Sequence, residues 1–122
     1  MNDSDSNFQT GELTISLSMS ADGVIQMVWQ GTSDARDPQR ELGPFLTKVA
    51  QDLAGKSATV DFTKLEYMNS ATVSSIIQFA RMLDSCGIKT KFLYDASIGW
   101  QRVNFVCMKA IAKTLTHVEV DG

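Results

Sequence analysis

The 122-residue chain is expected to be α/β, a mostly parallel four- to five-stranded sheet with an antiparallel N-terminal hairpin edge and helices packed against it. Three observations lead there. Leu13, Ile15, Leu17 and Met19 alternate with Glu12, Thr14, Ser16 and Ser18, the period of a half-buried strand. Asp22-Gly23 then separates this run from a second apolar one, which is a hairpin signal because glycine accepts positive φ without steric cost. Beyond the hairpin, short β-rich runs alternate with helical stripes in the order ββαβαβα(β), and that alternation builds parallel strands joined by right-handed crossovers.

Taken in order, residues 1–10 are dominated by Asn, Asp and Ser and hold too little apolar surface to offset the entropy of ordering, so they are expected to be a flexible tail before a single domain at 11–122. The second hairpin arm, 24–29, is apolar almost throughout and reads as a strand covered on both faces. Residues 31–38 form a loop by composition, with Asp37 as N-cap and Pro38 at the first helical position. Leu42, Phe45, Leu46, Val49 and Leu53 make one helical face, and Gly43-Pro44 argues for a start near Gly43. A strand at 59–62 leads through a loop to a helix with Val73, Ile76, Ile77, Ala80 and Leu83 inward and Ser74, Ser75, Gln78, Arg81 and Asp84 in water, closed by Gly87. The strand 89–94, a helix with Val103, Val106, Cys107, Ala110 and Thr114 as its core stripe, and a short strand at 117–120 complete the chain.

Composition narrows the function. With 43% hydrophobic and 20% charged residues the chain is that of an ordinary globular protein. A net charge of −3 without a basic stripe argues against nucleic acid. No window approaches the ~20 apolar residues of a membrane span, and the first residues lack the basic flank and apolar core of a signal peptide, so a cytoplasmic protein without membrane insertion is expected. Cys86 and Cys107 lie far apart without a Cys-x-x-Cys arrangement and read as thiols, not as a redox or zinc motif.

Catalytic signatures are also missing. There is no Gly-x-Ser-x-Gly and no Gly-rich phosphate loop, and the lone His117 has no partners for metal binding or acid–base work. Carboxylate pairs such as Asp34 with Asp37 or Asp61 with Glu66 lack an apolar pocket to raise a pKa. The expectation is a non-enzyme with no cofactor and no metal. What the topology does offer is the edge where loops leave the C-terminal ends of parallel strands. Loops 31–38, 63–70 and 95–99 should meet there and present Thr32, Ser33, Asp34, Arg36, Asn69, Ser70, Thr72 and Ser97 as a partner-binding surface.

Val60-Asp61-Phe62, then Leu65-Glu66-Tyr67-Met68-Asn69-Ser70-Ala71-Thr72, then the apolar helix, Gly87 and the strand 89–94 resemble the STAS domain of bacterial anti-sigma-factor antagonists. The family's usual run at the junction is Asp-Ser-Ser-Gly; Asn69, Ala71 and Thr72 replace its Asp, second Ser and Gly. The resemblance implies a STAS-like fold from about residue 13 to 120 and a partner-switching role in transcription regulation. It also implies phosphorylation at Ser70, with Thr72 a second candidate, by an anti-sigma-factor-type serine kinase, reversed by a metal-dependent phosphatase. Asn69 or Ser70 equally fits a helix N-cap, which an unmodified serine can provide. Two other uses of the same fold are a constitutive STAS scaffold subunit of a transporter ATPase complex and a small-ligand or nucleotide-binding domain. An unpaired outer hairpin strand leaves a homodimer open.

Overall fold

The computed structural model describes residues 6–122; residues 1–5 of the expected tail lie outside them. The elements are β1 (Ser6–Thr10), β2 (Leu13–Met19), β3 (Ile25–Ser33), α1 (Gln39–Asp52), β4 (Ala58–Met68), α2 (Ser70–Ser85), β5 (Thr90–Leu93), α3 (Gly99–Ala112) and β6 (Val118–Asp121). They build one sheet with its strands in sequence order, antiparallel from β1 to β3 and parallel from β3 to β6. The expected α/β architecture is present, with six strands in place of four to five.

The added strand is β1, in the segment the sequence assigns to a tail. It pairs with β2 from Ser6 opposite Leu17 to Thr10 opposite Leu13. Phe8 stacks on Phe45 of α1 with ring centroids 4.3 Å apart. One aromatic in a polar pentapeptide gives no periodic signal; β2 and Phe45 supply what local composition lacks.

All three helices cover the same face of the sheet, through Phe8 with Phe45 of α1, Phe92 with Phe79 of α2, and Phe62 with Phe105 of α3. Phe62 is central, its ring centroid lying 5.1 Å from Trp29, 5.3 Å from Phe92 and 4.9 Å from Phe105. Such pairs add about 0.5–1.5 kcal/mol each beyond the area they bury. The opposite face is polar, with Lys91 Nζ 3.7 Å from Glu119 and 3.6 Å from Asp121. β3 is therefore covered on one face only: Ile25, Met27 and Trp29 are buried, while Val28 is half-buried on the polar side.

Two helices differ from expectation. α1 starts at Gln39, before Gly43, and continues through Pro44, which is exposed, so the backbone bond it forfeits lies on the wet side. Asp37 makes no side-chain cap; backbone carbonyls of Asp37 and Pro38 take the first amides. α3 is turned over. Val103, Val106, Cys107 and Ala110 face outward, and Gln101, Phe105, Met108 and Ala112 are buried. The helix carries two apolar stripes, and the one with the larger Phe and Met side chains takes the core because it removes more apolar area from water. Ser75 of α2, expected in water, is also buried, its hydroxyl 2.6 Å from Gln39 Oε1.

β4 determines where the site lies. It pairs with β5 only from Ala58 to Asp61, but stays paired with β3 until Met68 lies opposite Ser33. Residues 31–33 and 63–68, read from sequence as parts of two loops, are thus strand arms, while 34–38 stays outside the strands as expected. Register shifts between Val28 and Gln30 and between Gly31 and Thr32 bend this ribbon. At the first, Asp61 Oδ1 accepts the Thr63 amide at 2.8 Å and the Thr63 hydroxyl at 2.6 Å. At the second, Gly31 has φ 92° and lies so close to Glu12 that a Cβ would run into its carbonyl. Glycine here marks a bulge, not the end of a strand.

Past Asp61 the margin of β4 that faced β5 has no strand beside it. Gln101 fills the gap. Its Nε2 donates to the carbonyls of Leu65 at 2.9 Å and Phe62 at 3.0 Å, with Thr63 at 3.4 Å, and its Oε1 accepts the Asp95 amide at 2.8 Å. A fully buried amide is tolerable when its donors and acceptor are all used. Gln101→Leu keeps the volume but orphans these partners, and is expected to lower unfolding free energy by about 1–3 kcal/mol, read as a lower urea midpoint with unchanged slope. The exposed Val103→Ala should stay within about 0.5 kcal/mol of the parent; equal losses for the two would refute the assignment.

Candidate functional site at the start of α2

The ends of β3 and β4 and the first turn of α2 come together around Asn69. Its backbone is extended (φ −84°, ψ 172°), as an N-cap requires, and its amide N–H donates to the Ser33 carbonyl at 3.0 Å. Side-chain Oδ1 accepts the Thr72 amide at 2.9 Å and the Thr72 hydroxyl at 2.7 Å. Nδ2 donates to the Ala35 carbonyl at 2.7 Å. Because the single Thr72 proton goes to Asn69, the 2.7 Å bond between Ser33 Oγ and Thr72 Oγ1 has Ser33 as its donor.

This network gives a physical reason for the residues that depart from the family run. An aspartate at 69 caps equally well but has no proton for Ala35, and would set a charge against that carbonyl. A glycine at 72 has no hydroxyl to bridge Asn69 and Ser33. Asn69 and Thr72 therefore make a neutral lock that ties the segment after β3 to the start of α2.

The lock sorts the expected surface residues. Ser33 and Thr72 are buried, Thr72 completely. They support the surface from below and are not presented on it, contrary to expectation, because their hydroxyls are the interior links of the network. Asp34 and Arg36 are exposed on either side of Ala35, which places them beside Asn69. Ser70 is exposed as the first residue of α2, and the cap is made by Asn69, leaving the Ser70 hydroxyl outside it. The first turn of α2 holds no acidic residue. Thr32 is half-buried, its amide bonded to the Glu12 carbonyl at 3.1 Å.

Ser97 does not join this group. Its amide and hydroxyl turn back on Asp95 Oδ1 at 2.9 and 2.6 Å, and Gln101 anchors that loop to Phe62 and Leu65, not to the end of β4. Among the described residues no hydrogen bond joins loop 95–99 to Asn69, whose amide and side-chain partners are Ser33, Ala35 and Thr72. Residues without a sequence signal enter instead: Ala35 through its carbonyl, and Tyr67, exposed at 49%, through its position two residues before the cap.

No family model matches the chain, and no curated protein does. Solved structures do. Apo-SiaC from Pseudomonas aeruginosa superposes with a TM-score of 0.61 at 16% identity, covering 98% of this chain and 99% of that one. The anti-sigma factor antagonist SpoIIAA in its unphosphorylated form gives 0.52 at 16% identity, over 73% of this chain and 79% of its own. A protein from Shewanella loihica described as having a SpoIIAA-like fold gives 0.53 at 12% identity, over 93% and 88%. The chain has this STAS-like, SpoIIAA-like fold, and at these identities the likeness is one of fold. No helix among the described residues is long and apolar enough to cross a membrane.

One outcome tests the site and a second the separate turn at Asp95. Thr72→Val keeps the shape but leaves Ser33 and Asn69 short of a partner, and should cost about 1–3 kcal/mol in chemical denaturation; an unchanged midpoint would contradict the lock. The Asp95 carboxyl lies below the usual aspartate range because the Ser97 hydroxyl, and next the Ser97 amide, favour its ionised form. A depressed folded pKa stabilises above the unfolded value, about 3.9, and that stability is lost as pH falls through the lower folded value. Asp95→Asn should therefore flatten the acid limb of the stability profile below about pH 4; a profile identical to the parent's would count against this turn.

Proposed function

We propose that the chain is a non-enzymatic, cytoplasmic regulatory module that binds a protein partner through the surface formed by Asp34, Arg36, Asn69 and Ser70, with phosphorylation of Ser70 as the release signal. One observation carries this reading. At the start of α2 the capping duty falls to Asn69 and the threonine is sealed inside, so Ser70 is the exposed hydroxyl at a helix N-terminus, free for modification.

The electrostatics support a switch that leaves the fold intact. Helix N-terminal amides and dipole favour an anion by about 0.3–1 kcal/mol at an exposed site, so a phosphate at Ser70 is compatible with the folded domain. Across a packed interface the same two charges carry desolvation cost and repel acids, which is how one modification releases a partner. The likeness in fold to an anti-sigma factor antagonist supports a serine kinase of the anti-sigma type as that partner and a metal-dependent phosphatase as the enzyme that resets it. The burial of the Thr72 hydroxyl inside the lock supports Ser70 over Thr72 as the acceptor.

Incubation with ATP and an anti-sigma-type serine kinase, followed by mass spectrometry, should place one phosphate on Ser70 and none on Thr72, and Ser70→Ala should abolish it. Ser70→Asp is expected to melt like the parent yet bind that kinase at least about tenfold more weakly, while Ser70→Ala binds as the parent does. Equal binding by both variants would end the switch reading.

A further inference from the structure

α3 has two apolar stripes, and the fold covers one. On the other, Val103 and Val106 are 64% and 51% exposed, with Cys107 and Ala110 exposed beside them. Their spacing of three, one and three is that of a helix–helix seam, although no element of the described chain packs there. At 100° per residue, Arg102, Lys109 and Lys113 fall in one row along a single margin of this stripe. All three are exposed and in no ion pair among the described residues. α3 holds no acidic residue, in a chain whose net charge is −3. On the opposite margin Trp100 lies 6.5 Å from Tyr67, ring centroid to centroid, which extends the apolar surface to the end of β4.

We propose that this face of α3 docks an amphipathic helix of a partner protein whose apolar seam is bordered on one side by Asp and Glu. Charge decides the occupant. The basic row, free of ion pairs although Arg102 Nη1 also donates to the Ala96 carbonyl at 3.0 Å, is complementary to an acidic margin, and such rows fix register and orientation more than raw affinity. Small Cys107 and Ala110 let a second helix approach to the ordinary interaxial distance of about 8–10 Å. A second copy of α3 brings more cations and no carboxylate to meet them. An anionic membrane fits less well, because helices that lie in the interface present Leu, Phe or Trp and denser clusters of cations. This surface stands independently of phosphorylation at Ser70.

Cys107 lies within the stripe, and Cys86, also exposed, sits at the far end of α2 and serves as internal reference. The probe is a synthetic helix of about three heptads with leucine at the seam and glutamate on its flank, set against the same helix with lysine on the flank. With the glutamate helix, N-ethylmaleimide alkylation of Cys107 should slow at least about fivefold, with Cys86 unchanged, and the protection should fall as salt is raised. Val106→Asp lies on the exposed face, should melt like the parent, and should abolish the protection. The inference is overturned if neither helix protects Cys107 or the lysine helix protects it equally. Protection by raised concentration of the chain alone, or by phosphatidylglycerol vesicles in preference to the glutamate helix, overturns it as well.

Discussion

Everything at the candidate site depends on how β4 survives beyond the point where β5 leaves it. A strand that loses a neighbour presents unpaired carbonyls to the interior, and backbone groups left so are costly. Gln101 answers this with one side chain, whose amide supplies donors to β4 and whose oxygen takes the Asp95 amide. With that margin satisfied, β4 stays extended and paired with β3 as far as Met68. The chain therefore delivers Asn69 and Ser70 at the tip of a two-stranded ribbon, clear of the shorter strands β5 and β6.

At that tip, burial and exposure are divided between residues adjacent in sequence. Asn69 and Thr72 spend their polar atoms inward, on each other, on Ser33 and on Ala35. Ser70, between them, spends none on the cap. A neutral interior network beneath one exposed hydroxyl, at the positive end of a helix dipole, is a local arrangement suited to gaining and losing a charge without disturbing the core. The exposed apolar stripe of α3 approaches the same end of the ribbon through Trp100 and Tyr67, so an exposed hydroxyl at a helix N-terminus and an exposed apolar stripe with a basic margin occur in one fold.

Much of this was legible in the chain. Period-two alternation at 13–19, the Asp22-Gly23 turn, the apolar stripes of α1 and α2 and the β-rich runs between them determine a hairpin followed by parallel strands, because side-chain periodicity directly reports which face meets the core. That Asn69 or Ser70 caps a helix also follows from residue type at a strand-to-helix junction; that the cap is Asn69, with Ser70 the first helical residue, is decided by the structure. What only the tertiary structure decided depends on partners distant in sequence. β1 is a strand because β2 and Phe45 are there to meet it. Residues 31–33 and 63–68 are strands because each pairs with the other across a bulge that places Gly31 against Glu12. α3 shows its valines to water because Phe105 and Met108 compete better for the space beside Phe62. Ser33 and Thr72 went inside, and Ser97 went elsewhere, because hydrogen-bond partners more than thirty residues away complete the one network and Gln101 pins the other loop. Periodicity reveals that a face is apolar, but which of two such faces is buried is settled by the volume and polar groups of the residues opposite.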